Sequence, residues 1–276
     1  MASRTLTDNE IDAFERDGVV LVREAADMLW IDRLNDVVKT QLAEPSRWVN
    51  DANPGAERDR FFTDRYLWRD NAAINAFVFE GGMGALAAQA TRSVTMRFYF
   101  DHLLVKEPGT ATPTPWHQDI PYWPFMGHQI CSVWLALTDC DARSSGLEFI
   151  RGSHADRTIF KPEVFGARDN HPSAWQADGG GKPVPDIEAN RDAYDIVSYD
   201  THAGDALVFS AWTLHGAPGN SSPDHRRAAI STRWLGDDAV WFPHDGTDPT
   251  VSEDDVNLES GDPAHDDTVF PVVWAN

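Results

Sequence analysis

Apolar residues follow two different rhythms along this chain, and the change falls near residue 93. Before it they recur at helical spacing. After it they come in short β-branched and aromatic runs bounded by glycine, proline and aspartate. Thr7 with Glu10 three positions on has the form of a capping box, opening a helix that runs through Arg16 and stops at Gly18. Val19-Val20-Leu21-Val22 predicts a strand. Leu29, Ile31, Leu34, Val37, Val38 and Leu42 predict a second helix over 27–44, and 71–90 returns to a helical pattern. Residues 45–64 are polar and irregular and read as a loop over a pocket rim.

Strands are predicted over 94–106, 130–137, 147–150, 206–210 and 228–235. Together these describe one domain over 1–276, mainly β with flanking helices: a helical N-terminal region over residues 1–92 and a jelly-roll core over 93–236. The core is interrupted by a Gly/Pro/Asp-rich insertion, 155–199, with a Gly179-Gly180-Gly181 hinge, and a loop of that length is expected to act as a lid. Residues 237–267 are acidic and turn-rich, an expected solvated tail before the apolar stretch 269–274.

With 42% hydrophobic residues and 11 Trp the chain can bury a substantial core. Its apolar runs are too short to span a membrane, and residues 1–5 lack a hydrophobic signal region, which points to a cytoplasmic enzyme. The net charge of −21 disfavours nucleic acid and anionic membrane as partners and leaves a small molecule. Cys131 and Cys140 read as buried thiols rather than as a disulfide or a zinc site.

Candidate chemistry centres on His117-Gln118-Asp119, with His215 and Arg226 far downstream. Two imidazoles and a carboxylate can occupy one face of six-coordinate Fe(II), leaving positions for a co-substrate and O2. His-x-Asp alone carries little information, because 10 His and 32 Asp in 276 residues make about one chance occurrence, and the pattern occurs three times. Context selects the first pair. His117 follows a stiff proline-rich approach and precedes a strong strand, as a rigid ligand requires. His154/Asp156 sits in a turn and His265/Asp267 in the acidic tail. His215 ends a strand beside a glycine, whereas His202 and His225 lie in weaker settings. Arg226 and Arg227 open the next strand, so alternation sends one inward, where a carboxylate would have to meet it.

These segments resemble the phytanoyl-CoA dioxygenase family of Fe(II)/2-oxoglutarate-dependent oxygenases. The likeness rests on 11–22, Lys106-Glu107-Pro108-Gly109 leading to Pro115-Trp116-His117-Gln118-Asp119, Trp134-Leu135-Ala136-Leu137 leading to 146–154, and His215-Gly216 with Asn220 and Arg226-Arg227-Ala228. The resemblance implies a double-stranded β-helix (cupin-like) core, iron on His117, Asp119 and His215, and the far carboxylate of 2-oxoglutarate on Arg226 rather than Arg227. Trp134 is implied to pack near the co-substrate, a role for Lys106 is left open, and His154 becomes a member of a structural turn. Some relatives carry a hydroxyl two positions past the distal histidine, where this chain has Ala217.

The implied chemistry is oxidative decarboxylation of 2-oxoglutarate with O2 to succinate and CO2, coupled to hydrogen abstraction from a substrate C–H bond. Asp119 keeps the carboxylate ligand, which favours hydroxylation over halogenation, with desaturation or ring closure as other outcomes. Tyr122, Trp123, Phe125 and Trp241, with Phe242, are the expected walls of a pocket for a small, partly apolar metabolite. A zinc or manganese cupin using the same three ligands, and a metal-free β-barrel binding module, are the rival readings, separated from an oxygenase by stoichiometric succinate formation.

Overall fold

The computed structural model describes residues 4–161, 181–244 and 247–276. Helix α1 (Asp8–Asp17) carries the expected capping box, the Thr7 hydroxyl accepting from Glu10 N–H while the Glu10 carboxylate accepts from Thr7 N–H. Gly18 ends it at φ 76°, and a Cβ there would lie 2.4 Å from both His154 Nδ1 and Thr213 Oγ1. Only glycine serves this corner. The chain then enters strand β1 (Val19–Val22) and helix α2 (Met28–Ala43), capped by Asp27.

The next stretches depart from expectation. Residues 45–64 include β2 (Asn50–Ala52) and the start of β3 (Phe61–Arg65), a hairpin that widens the sheet. The helical pattern over 71–90 splits into α3 (Ala72–Glu80) and α4 (Met83–Thr91), because the chain turns at Gly81-Gly82, with Gly82 at φ 81°.

The remaining strands are β4 (Thr95–Lys106), β5 (Thr114–His117), β6 (Phe125–Met126), β7 (Ile130–Ala136), β8 (Glu148–Ile150), β9 (Ile196–Ser198), β10 (Ala206–Ser210), β11 (His215–Ala217), β12 (Arg227–Leu235), β13 (Val240–Trp241) and β14 (Val272–Ala275). The large sheet runs β1-β10-β7-β12-β4-β3-β2, with β14 on the opening residues of β4, and the small one runs β5-β11-β8-β9. All pairings are antiparallel, the arrangement of a jelly roll.

Strand alternation gives the large sheet two faces. On β12, Ala228, Ile230 and Trp234 pack with Leu34, Val38, Phe77 and Leu86 of the helices. Ala229 points the other way and packs with Trp134, Phe149, Leu207 and Phe209 between the sheets. Burial of each large side chain contributes roughly 1.5–3 kcal/mol, and the helices exist to cover the first face. The second face encloses the site. Among the described residues no helix is long and apolar enough to cross a membrane.

The acidic segment is not a solvated tail. Its β13 pairs with β6, and Val251, Val256 and Ala264 are buried. Its carboxylates have structural partners: Asp237 accepts from the N–H groups of Val94 and Thr95, and Asp238 from those of His128 and Gln129. Within the 155–199 insertion, residues 162–180, including Gly179 and Gly180, lie outside the described residues, and the lid expectation falls mainly on them. The end of the insertion is β9, a strand of the small sheet paired with β8.

Candidate metal centre

His117 and His215 stand opposite one another on the paired strands β5 and β11, with ring centroids 4.1 Å apart. Sheet pairing thus joins residues distant in sequence. Asp119 follows where the chain turns out of β5, its place held by the bond from Ile120 N–H to Ala211 O. Gln118, between them, points away and ties down the start of the insertion: it donates to Thr158 O and Trp212 O and accepts from Phe160 N–H. The alternation in-out-in is what the His-x-Asp spacing encodes.

Each imidazole is oriented from behind. His117 Nδ1 lies 2.8 Å from Pro115 O, and His215 Nδ1 lies 3.0 Å from Thr213 O. A carbonyl only accepts, so both Nδ1 atoms carry the proton and both Nε2 atoms present lone pairs. Those Nε2 atoms lie 3.8 and 4.0 Å from Asp119 Oδ1. Asp119 Oδ2 instead accepts a 2.6 Å bond from Ser132 Oγ and lies 3.8 Å from Arg233 Nε. The three ligand atoms fall within 4.8 Å of one another, and no other such group of His, Cys, Asp or Glu occurs among the described residues.

Electrostatics matches the geometry. Burial, then the neighbouring His215, pushes the His117 pKa down to about 3, and burial likewise lowers that of His215, so both rings are neutral ligands. Burial alone would raise the Asp119 pKa, but Arg233, the two histidines and the Ser132 bond hold it below the usual carboxylate value. The rival histidines lie elsewhere. His154 Nε2 bonds Glu15 O within a turn, His265 is exposed, and His202 and His225 sit at the surface against Asp139 and Asp224.

The two arginines exchange their expected places. Arg226 precedes β12; its side chain is 38% exposed and holds Glu107 through two bonds, of 3.0 and 2.6 Å. Arg227 is the first residue of the strand and is 3% exposed. Its guanidinium lies 5.9 Å from the Trp134 ring and donates from Nε to Ser145 Oγ at 3.2 Å, while Nη1 is buried without a partner. The strand begins at Arg227, with Arg226 outside it, and alternation turns Arg227 inward with Ala229. Lys106, directly opposite on β4, is fully buried, lies over the Phe61 ring and donates to Pro218 O. Trp134 Nε1 is a second buried donor with no partner. A buried guanidinium, a buried amine and two unmatched donors, with no carboxylate among the described residues bonded to them, form a set of donors suited to an anion.

The family model for phytanoyl-CoA dioxygenase (PhyH) matches residues 14–228, which include all three ligand positions and Arg227. The chain belongs to the phytanoyl-CoA dioxygenase family. No curated protein sequence matches it. Among solved structures it is similar to the non-heme alpha ketoglutarate dependent carbocyclase SnoK from nogalamycin biosynthesis, with 19% identity, TM-score 0.74 and coverage of 99% of this chain and 98% of that one. The epimerase SnoN in complex with Fe3+, alpha ketoglutarate and nogalamycin RO gives 21%, 0.69, 96% and 98%. EctD from S. alaskensis with 2-oxoglutarate and 5-hydroxyectoine gives 17%, 0.66, 94% and 86%.

Within this family member the four aromatic residues expected to wall the substrate pocket separate. Tyr122 is partly exposed and stands edge-on to His117, ring centroids 5.8 Å apart. Trp123 is buried against Tyr99 and Phe100. Phe125 and Trp241 are fully buried and face each other across the β6–β13 pair at 5.4 Å, so they build core and not pocket. The residues not anticipated are Ser132, Ser145 and Arg233. Arg233 did have a signal, being an even number of positions from Arg227 on one strand and so on the same face.

Proposed function

We propose that this protein is an Fe(II)- and 2-oxoglutarate-dependent oxygenase that hydroxylates an unactivated C–H bond of a small, partly apolar metabolite in the cytoplasm. The observation that carries the reading is that the core packing Trp134 with Phe149 and Phe209, whose rings lie against His215, brings together a buried His117/Asp119/His215 ligand face and the unsatisfied buried donors Arg227 Nη1 and Trp134 Nε1. A metal-only cupin has no use for the second element.

Bound iron would supply O2 activation, coupled to decarboxylation of the 2-oxo acid. His117 and His215 would hold the metal through Nε2 from fixed orientations, and Asp119 through Oδ1, since Ser132 bonds Oδ2. Arg227 receives the far carboxylate, with Lys106 beside it and the Trp134 ring alongside. With Ala217 in place of a hydroxyl, Ser145, already bonded to Arg227, steadies that arginine. Tyr122 stands at the exposed side of the metal face and guides the substrate.

The similarity to a carbocyclase and an epimerase favours a second outcome at the same site, in which hydrogen abstraction leads to ring closure or inversion. Anaerobic reconstitution with Fe(II), then a metabolite panel in the presence of O2, tests both. The expected result is substrate-stimulated succinate formation, one per product. Added oxygen in the product marks hydroxylation, loss of two hydrogens marks ring closure, and unchanged mass with consumption of an added two-electron reductant such as ascorbate marks epimerisation. Product without succinate, with zinc or manganese bound, would overturn the oxygenase reading.

A further inference from the structure

Arg233 is buried beside Asp119, whose Oδ2 lies 3.8 Å from its Nε, and among the described residues no carboxylate lies within hydrogen-bonding distance of it. The guanidinium is held between the rings of Phe100 and Trp123, 5.6 and 5.5 Å from their centroids. Of its five N–H groups, one donates to Ser231 Oγ, and Nε is buried without a partner. The acidic groups acting on it are Asp119 and the buried Cys131 thiol, whose pKa burial drives up so that it stays neutral. Arg65, by contrast, has Asp248 at 3.1 Å. His102, opposite Ser231 on β4, lies on the same face of the sheet, and its Nε2 is also buried with no partner.

A charge balance, which rests on the iron and 2-oxoglutarate reading, shows what is missing. The dication is offset once by Asp119 and once by the carboxylate that chelates it. The far carboxylate is matched to Arg227, and Lys106 offers no negative charge. Arg233 therefore shares Asp119, 3.8 Å away, with the dication and has no counter-charge of its own, in surroundings where an undercompensated cation is costly. Flanking rings soften that cost without removing it.

We propose that Arg233, with His102 beside it, receives an anionic oxygen of the substrate: a carboxylate, enolate or phenolate. A substrate bound this way lies beside Asp119, on the metal side, away from Lys106 and Arg227. Arg233 then selects among metabolites by charge, whereas the rings of Phe100 and Trp123 accept a flat or apolar body.

The test uses the anaerobic Fe(II)–2-oxoglutarate complex, titrated calorimetrically with benzoate, with 4-nitrophenolate and with benzamide as the neutral counterpart of benzoate. At least one anion should bind on the order of ten- to a hundredfold more tightly than benzamide, as a charge-assisted bond predicts. The visible charge-transfer band of the iron chelate should persist, because the probe does not displace 2-oxoglutarate. Whichever anion binds better identifies a carboxylate or a phenolate-like group. Arg233→Met should erase the preference and Arg233→Lys should keep some of it. Failure of both anions to bind, equal binding of benzamide, or a preference that survives in Arg233→Met overturns the proposal. Absence of the chelate band before any probe is added would instead count against the iron and 2-oxoglutarate reading itself.

Discussion

The metal cluster and the surroundings of Arg227 are built on opposite principles. At the metal end both imidazoles and the carboxylate have their rear atoms bonded: His117 to Pro115 O, His215 to Thr213 O, Asp119 to Ser132. At the Arg227 end, donors are left over, with Arg227 Nη1 and Trp134 Nε1 both buried and unmatched. A metal brings no directional acceptors of its own, so its ligands must be aimed in advance. A dicarboxylate brings acceptors with it, so the protein leaves donors for it to satisfy. Order at one end and deficit at the other are what the proposed iron and 2-oxoglutarate site would require.

The largest expected effect strikes the rigid end. Alanine at His117, Asp119 or His215 should abolish iron binding, measured as metal per chain after reconstitution, while His154→Ala and His265→Ala keep full occupancy. An occupied His215→Ala protein would break the comparison at once. Next comes the other end. Arg227→Met should weaken 2-oxoglutarate binding by roughly a hundred- to a few-thousandfold, the scale of about 3–5 kcal/mol for breaking a buried charge pair. Arg226→Met, which loses only a half-exposed pair with Glu107 worth about 0.2–1 kcal/mol, should change affinity by less than about sixfold. The opposite ranking would place the strand one residue out of register.

Ser132→Ala sharpens the claim that pre-orientation matters at the metal end. Freeing Asp119 Oδ2 should lower iron affinity by about ten- to a hundredfold, read by competition with a chelator, with 2-oxoglutarate affinity of the remaining loaded protein little changed. Trp241→Leu probes the residue that proved to be core. It should lower unfolding free energy by about 2–4 kcal/mol in denaturant titration while leaving substrate preference alone.

The smallest effect concerns Lys106. Burial, then Arg227, lowers its pKa to about 6, below the ordinary 10.5. Between those values the unfolded chain binds the proton and the folded chain does not, so burial of Lys106 costs stability there and the cost shrinks as pH rises. A bound dicarboxylate favours the ammonium form. Binding of 2-oxoglutarate at pH 7.5 should therefore take up a fraction of a proton and strengthen as pH falls toward 6. Calorimetry in buffers of different ionisation enthalpy measures this uptake, and Lys106→Met should reduce it to nearly nothing.

Elements with strong local signals were legible in the sequence: the capped α1, the stop at Gly18, β1, α2 and the long strands β4, β7, β10 and β12. The ligand set was legible because alternation about Gln118 is a local property, and because His215 borders a strand end. The misreadings share one cause. Whether 237–267 is solvated and whether Phe125 and Trp241 face a pocket both depend on partners distant in sequence. Aspartates that look like a solvated run became caps for backbone N–H groups on other strands.

The sequence by itself determined a β core with flanking helices and, through context, spacing and the family likeness, a His-Asp-His ligand set and an arginine pair opening the strand after the second histidine. Only the tertiary structure showed which arginine is buried. A strand that begins one residue later sends every side chain to the other face, and nothing local to Arg226-Arg227 sets that start. It is set by the pairing of Arg227 with Lys106 and the bonds of Asn220 to Lys106 O and His225 O, contacts that exist only once β4 and β12 lie side by side.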